Sequence, residues 1–120
     1  MWHDTEMTNT ETRLAKAAQT LTQAKLESNP MSERVRLAFD AGYGYLLLAL
    51  STRYEVPDVV EPSRNVLGLS VSDLGVQPAV LAPAAKFVDY LEVPGGHDGL
   101  LPGLLRFADK MRELAADALK

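Results

Sequence analysis

Apolar residues recur at helical spacing through most of the chain, and the stretches that interrupt the period are rich in proline, glycine and serine. Leu14, Ala17, Ala18, Leu21 and Ala24 fall on one face, with Arg13, Lys16, Gln19, Gln23 and Lys25 on the other. That pattern predicts an amphipathic helix ending near Glu27, stopped by Ser28-Asn29-Pro30. Thr8 followed three residues later by Glu11 fits a capping box at its start, and residues 1–8 read as a flexible leader.

A second helix is expected from about Ser32 to Arg53, with Glu33 near the positive end of its dipole. Its first half is amphipathic: Val35, Ala38, Phe39 and Gly42 face inward, while Arg34, Arg36 and Asp40 are available to solvent. Its second half, Tyr45 to Leu50, is apolar on every side, the mark of a helix surrounded by others or lying at a subunit interface. Gly42 and Gly44 each cost about 1 kcal/mol of helix propensity relative to alanine. With the small residues Ala38, Ala41 and Ala49, they suggest that a neighbouring backbone comes close.

Residues 54–77 are the least regular stretch, broken by Val56-Pro57-Asp58, Glu61-Pro62-Ser63, Gly68 and Gly75. Val59-Val60 and Val66 to Leu69 read as short pieces docked on the core, and Ser72 to Gly75 as the start of a helical turn. A third helix follows Pro78 and carries Val80, Leu81, Ala84, Phe87, Val88 and Leu91. Pro83 fits only a first turn, which places the helix proper near Ala82. Val93-Pro94-Gly95-Gly96 breaks it, and a last helix opens around Pro102 with Leu104, Leu105, Ala108, Met111, Leu114, Ala115 and Leu119 on its apolar face. The expected fold is all-α: a single four- or five-helix antiparallel bundle over residues 9–120, with one long irregular connection.

Composition narrows the chemistry. The 120 residues are 47% hydrophobic and 23% charged, which suits one domain with one core. Sixteen acids against twelve bases give a net charge of −4, which weakens the case for a surface that neutralises phosphates. No cysteine is present, so disulfides and thiolate metal sites are excluded. Two histidines leave little for a metal cage, and neither metal nor cofactor is expected. No apolar run approaches the roughly 20 residues of a membrane span. The acidic, polar start lacks the layout of a secretory signal, so the expected location is the cytoplasm.

Phosphate-binding loops, nucleophile elbows, HExxH and calcium-loop motifs are all missing. Gly95-Gly96-His97-Asp98-Gly99 is the densest polar cluster. His97 beside Asp98 has the makings of a proton-transfer pair, but no third partner stands at a recognisable spacing. The plainer reading is a glycine-permitted loop in which Asp98 caps the next helix. Tyr43 and Tyr45 point to different faces of the central helix, where either hydroxyl can meet a ligand or a backbone carbonyl. Lys25, Arg34 and Arg36 are interleaved with Glu27, Glu33 and Asp40 and so make a mixed, solvated surface. Ser72 to Val76 and Pro78 to Glu92 have the cadence of a helix-turn-helix. Lys86 is the only cation on the second of those segments, which disfavours DNA reading.

Ser32 to Tyr54, Ser-Glu-Arg-Val-Arg-Leu-Ala-Phe-Asp-Ala-Gly-Tyr-Gly-Tyr-Leu-Leu-Leu-Ala-Leu-Ser-Thr-Arg-Tyr, resembles the second helix of HEPN domains, in which a small- and aromatic-rich helix lies at the middle of a helical bundle. Leu14-Ala15-Lys16-Ala17-Ala18 is compatible with the helix that precedes it. The resemblance covers about a fifth of the chain and implies an antiparallel bundle that often dimerises. The ribonuclease members carry an Arg, a polar residue and, a few residues on, a His. Arg64-Asn65 matches the start of that motif, but Leu69, Ser70 and Val71 stand where the His belongs. Neither His3 nor His97 follows an Arg at the needed distance, so the general acid or base of RNA cleavage is missing and the catalytic assignment does not carry over.

Three functions are open on this basis. The first is a noncatalytic helical interaction module, homodimeric, with Gly42, Tyr43, Tyr45, Leu46 and Leu50 facing a partner or ligand. The second is a HEPN-like protein acting on nucleic acid through Arg64, Asn65 and His97. The third is a bundle that binds a small molecule in a cavity beside Tyr43 or Tyr45.

Overall fold

The computed structural model describes residues 9–57, 60–89 and 98–120, and within them the chain is helical with no strand. Five helices follow one another: α1 (Asn9–Lys25), α2 (Met31–Leu50), α3 (Arg64–Leu74), α4 (Pro78–Asp89) and α5 (Leu101–Ala118). The all-α bundle expected from the pattern is what forms.

The long α2 is the axis of the fold. It packs most extensively on α5 along one side and on α1 along another, while α4 leans on α5 and α3 on α4. Eleven of its residues are buried, among them Phe39, Leu46 and Ala49 with no exposed surface at all. Phe39 sits at the centre of an aromatic cluster, its ring 5.3 Å from Tyr43, 4.7 Å from Phe87 of α4 and 6.3 Å from Phe107 of α5. Offset ring pairs at such distances add to the stabilisation from burial alone.

Gly42 is explained by the α2–α5 crossing. A Cβ built there would lie 2.3 Å and 2.5 Å from the Phe107 ring and 3.1 Å from the Ala108 Cα, so the two helices approach this closely only because the position has no side chain. Gly103 does the same for α4: a Cβ there would meet the Pro83 ring at 2.5 Å.

Several boundaries differ from expectation. Leu50 ends α2, and residues 51–53 continue as a turn in which Arg53 and Tyr54 both donate backbone N–H groups to the Leu50 carbonyl. The α1–α2 turn is fastened by Asn29, whose side-chain amide donates to the Gln23 carbonyl at 2.9 Å, and by Arg34, whose Nε donates to the Ala24 carbonyl at 2.9 Å. Arg34 therefore caps the carbonyl end of α1, a favourable place for a cation, and is half-buried rather than solvent-directed.

The connection between residues 54 and 77 is shorter than expected because it contains α3. Ser63 caps that helix, its Oγ accepting from the Asn65 backbone N–H at 3.1 Å. Gly75 ends it with φ 71° and ψ 22°, and the Val76 N–H donates back to the Ser70 carbonyl at 3.0 Å while Val76 itself is buried. The left-handed glycine closes the helix, so Ser72 to Gly75 is the end of a helix and not the beginning of one.

Pro83 lies at the sixth position of α4, inside the helix rather than in its first turn. Its ring fits the gap left by Gly103, and the carbonyl deprived of a donor belongs to the exposed Ala79. Asp98 stands in a short 3₁₀ turn, Asp98–Leu100, ahead of α5. Leu100 takes the N-cap position of α5 without a side-chain hydrogen bond, so Asp98 does not cap it. Thr8 and the expected leader 1–8, Val59, Leu91, the break from Val93 to Gly96 and His97 lie outside the described residues.

Candidate functional site

One stripe on α1 and one on α2 frame a cleft of about 520 Å³. Arg13, Lys16, Ala17 and Thr20 come from α1, at the spacing that aligns residues along one helix face. Leu37, Asp40, Tyr43, Gly44 and Leu47 come from α2 by the same rule. Val60 and Pro62, from the connection before α3, complete the lining.

That third wall is tied to α2 by Tyr43. Its hydroxyl donates to the Glu61 carbonyl at 2.9 Å, bridging 18 residues. Burial raises the Tyr43 pKa above the ordinary tyrosine value, and a backbone hydrogen bond from Ser63 offsets part of the rise. The hydroxyl is therefore a neutral latch across the physiological range. Thr20 is also engaged, its hydroxyl donating to the Lys16 carbonyl at 2.8 Å.

Asp40 stands at the rim, solvent-exposed along part of its surface. Neighbouring groups still exclude enough water from its carboxyl to raise the pKa above the ordinary value, against the opposing pull of Arg36 and then Lys16. A charged group held in this way beside an apolar wall is a common feature of binding sites.

Gly44 forms part of the cleft wall, and its situation is unlike that of Gly42. A Cβ there would meet only the Ala17 Cβ, at 3.8 Å, an ordinary van der Waals contact. Helix packing thus leaves room for a side chain at this point, yet the residue is glycine, and the space stays open to the cleft.

Of the residues singled out in the sequence, Tyr43 lines the cleft and Tyr45, Leu46 and Leu50 do not. Those three are 3%, 0% and 2% exposed, buried against the chain's own helices together with Gly42. Burial also raises the Tyr45 pKa, with Arg112 and Asp109 of α5 as the charged groups near its hydroxyl. Arg64 and Asn65 open α3, both exposed and outside the cleft lining. Arg64 Nε lies 3.3 Å from Asp89 Oδ1 of α4, so its charge is engaged in fastening α3 to α4. His97, the third member of that expected set, lies outside the described residues. Among the described residues, no three His, Asp or Glu side chains converge as a metal cage would require, and no helix is long and apolar enough to cross a membrane.

Sequence reasoning missed Arg13, Lys16, Thr20 and Asp40. The available signal was their spacing beside the apolar face of α1 and the first half of α2, but only the docking of the two helices turns those polar edges toward one space. No protein-family model matches the chain, and no curated protein and no solved structure matches it either.

Proposed function

We propose that the protein is a noncatalytic helical bundle that binds a small amphipathic molecule in the cleft between α1 and α2. The observation that carries this reading is the cleft itself, whose volume of about 520 Å³ is of ligand-binding size and whose lining combines apolar walls with charges at the rim. Gly44 supports it: a helix glycine that packing does not demand sacrifices stability, and here it keeps cleft volume open.

Self-association, the leading expectation from the sequence, rests on the all-round apolar half of α2. Tyr45, Leu46, Leu48, Ala49 and Leu50 are buried by the helices of a single chain and Leu47 is half-buried in the cleft wall, so that stretch lends no support to a dimer. Among the described residues, the large exposed hydrophobic side chains are Leu26, Met31, Tyr54 and Val71, divided between the α1–α2 turn, the turn after α2, and α3.

Nile red, an uncharged fluorophore that brightens in apolar surroundings, reports on the cleft without presupposing a charge. The native chain should bind it at one site, and Gly44→Leu, which plugs the cleft, should remove the signal while circular dichroism still shows native helix content. Gly44→Ala serves as the milder companion and should weaken the signal in part. Equal fluorescence in all three proteins would sink the reading.

A further inference from the structure

The ligand's chemical class follows from the groups that remain available in the cleft, an inference that rests on the cleft being a binding site. Its hydroxyl donors are already committed: Tyr43 to the Glu61 carbonyl and Thr20 to the Lys16 carbonyl. A sugar-like ligand, recognised through many neutral hydrogen bonds, would find few unspent donors there. Charge is what remains to discriminate between ligands.

The charges are unequal. Lys16 on α1 and Asp40 on α2 both line the cleft, and two cations, Arg36 and Lys16, pull on that one carboxylate in a chain whose net charge is −4. Asp40 is also held from its own helix by Arg36, one turn back, which shares the carboxylate with Lys16. Lys16 has no carboxylate within salt-bridge distance among the described residues, and its side chain is exposed at the rim. The same lining includes Ala17, Leu37, Gly44 and Leu47, a buried or half-buried apolar surface.

We infer that the cleft takes an amphipathic monoanion, a carboxylate or comparable anionic head on an apolar body, with the head beside the Lys16 ammonium and the body along Ala17, Leu37, Gly44 and Leu47. Lys16 supplies the attraction and Asp40 the opposing charge that limits it. Removing either charge therefore shifts affinity for an anion in opposite directions, a result that a merely structural role for these residues does not produce.

The test is isothermal titration calorimetry with three probes that share one tail: dodecanoate, dodecyltrimethylammonium and dodecyl maltoside, each below its micellar concentration. Dodecanoate should bind most tightly. Lys16→Gln should weaken it roughly two- to fivefold, as expected for a partly exposed ion pair, and Lys16→Arg should restore it. Asp40→Asn should tighten dodecanoate by a similar factor, and the neutral maltoside should respond to neither change. Preferential binding of the ammonium probe, or charge substitutions that move all three probes alike, would overturn the anion assignment while leaving the cleft as a binding site. If no probe gives heat that Gly44→Leu abolishes, the binding site itself is refuted and the ligand class falls with it.

Discussion

Alanine substituted at Gly42 and at Gly44 should shift stability in opposite directions, although the two positions lie two residues apart in one helix. They are about 200° apart around the axis, so Gly42 faces α5 and Gly44 faces α1. Each substitution gains helix propensity, about 0.5–1 kcal/mol. At Gly44 little opposes that gain, because the new methyl makes one ordinary contact at 3.8 Å. At Gly42 the methyl would overlap the Phe107 ring at 2.3 Å and 2.5 Å, and that ring is fully buried in the Phe39 cluster. The Ala108 backbone at 3.1 Å stops α5 from closing over the gap, so the helices must separate. Overpacking of this kind costs about 1–3 kcal/mol, which outweighs the propensity gain. The net expectation is stabilisation of about 0.5–1 kcal/mol for Gly44→Ala and destabilisation of about 1–2 kcal/mol for Gly42→Ala. Thermal unfolding followed by circular dichroism reads this directly, since about 1 kcal/mol moves Tm by about 4 °C in a domain of this size. Shifts of the same sign, or a destabilised Gly44→Ala, would refute the claim that packing requires one glycine and the cleft the other.

Two further predictions concern single contacts. Tyr43→Phe removes the latch and leaves the Glu61 carbonyl without that donor. Amide hydrogen exchange should quicken around residues 60–63, and stability should fall by about 1 kcal/mol, as for loss of one ordinary hydrogen bond; unchanged exchange there would show that the connection is held by other means. The second concerns Tyr54, whose hydroxyl donates to Asp73 Oδ2 and ties the turn after α2 to the end of α3. The bonds from Tyr54 and then Ser72 lower the Asp73 pKa, so this contribution is present above the ordinary carboxylate pKa and is lost as pH falls through the depressed value. The same bond raises the Tyr54 pKa, so the contribution is present below the ordinary tyrosine pKa and is lost as pH rises through the raised one. Tyr54→Phe should return the Asp73 titration, followed by NMR, toward the ordinary value; an unmoved titration would contradict the contact.

How legible each element was depended on whether its pattern was local. The frames of α1, α2, α4 and α5 were readable because Leu14 to Ala24, Val35 to Leu50, Leu81 to Phe87 and Leu104 to Ala115 keep an unbroken apolar period. α3 escaped notice because Gly68, Ser70 and Ser72 interrupt Val66, Leu67, Leu69 and Leu74. Ser70 is nonetheless buried, its hydroxyl satisfied by the Leu67 carbonyl at 2.6 Å, so a polar residue occupies a core position. Pro83 was misplaced because its compatibility depends on Gly103, twenty residues further on, which no local rule connects to it. The apolar half of α2 correctly marked a surrounded helix, but the sequence could not say whether a second chain or the same one surrounds it. Of the cleft, Tyr43 and Gly44 stood out beforehand, Gly44 as a sign of close helix approach and not of open space; Lys16 and Asp40 read as solvated surface because each faces water until α1 and α2 are brought together.

The central claim is that a small amphiphile occupies the space between α1 and α2, and the most direct test is to map where one binds. Isotope-labelled protein titrated with dodecanoate below its micellar concentration should show saturable amide-shift changes concentrated at Lys16, Ala17, Thr20, Asp40, Gly44 and Leu47, with Val60 following. Changes centred instead on Leu26 and Met31 or on Val71, or spread evenly without saturation, would mean that the amphiphile coats exposed apolar side chains and that the cleft is not a site.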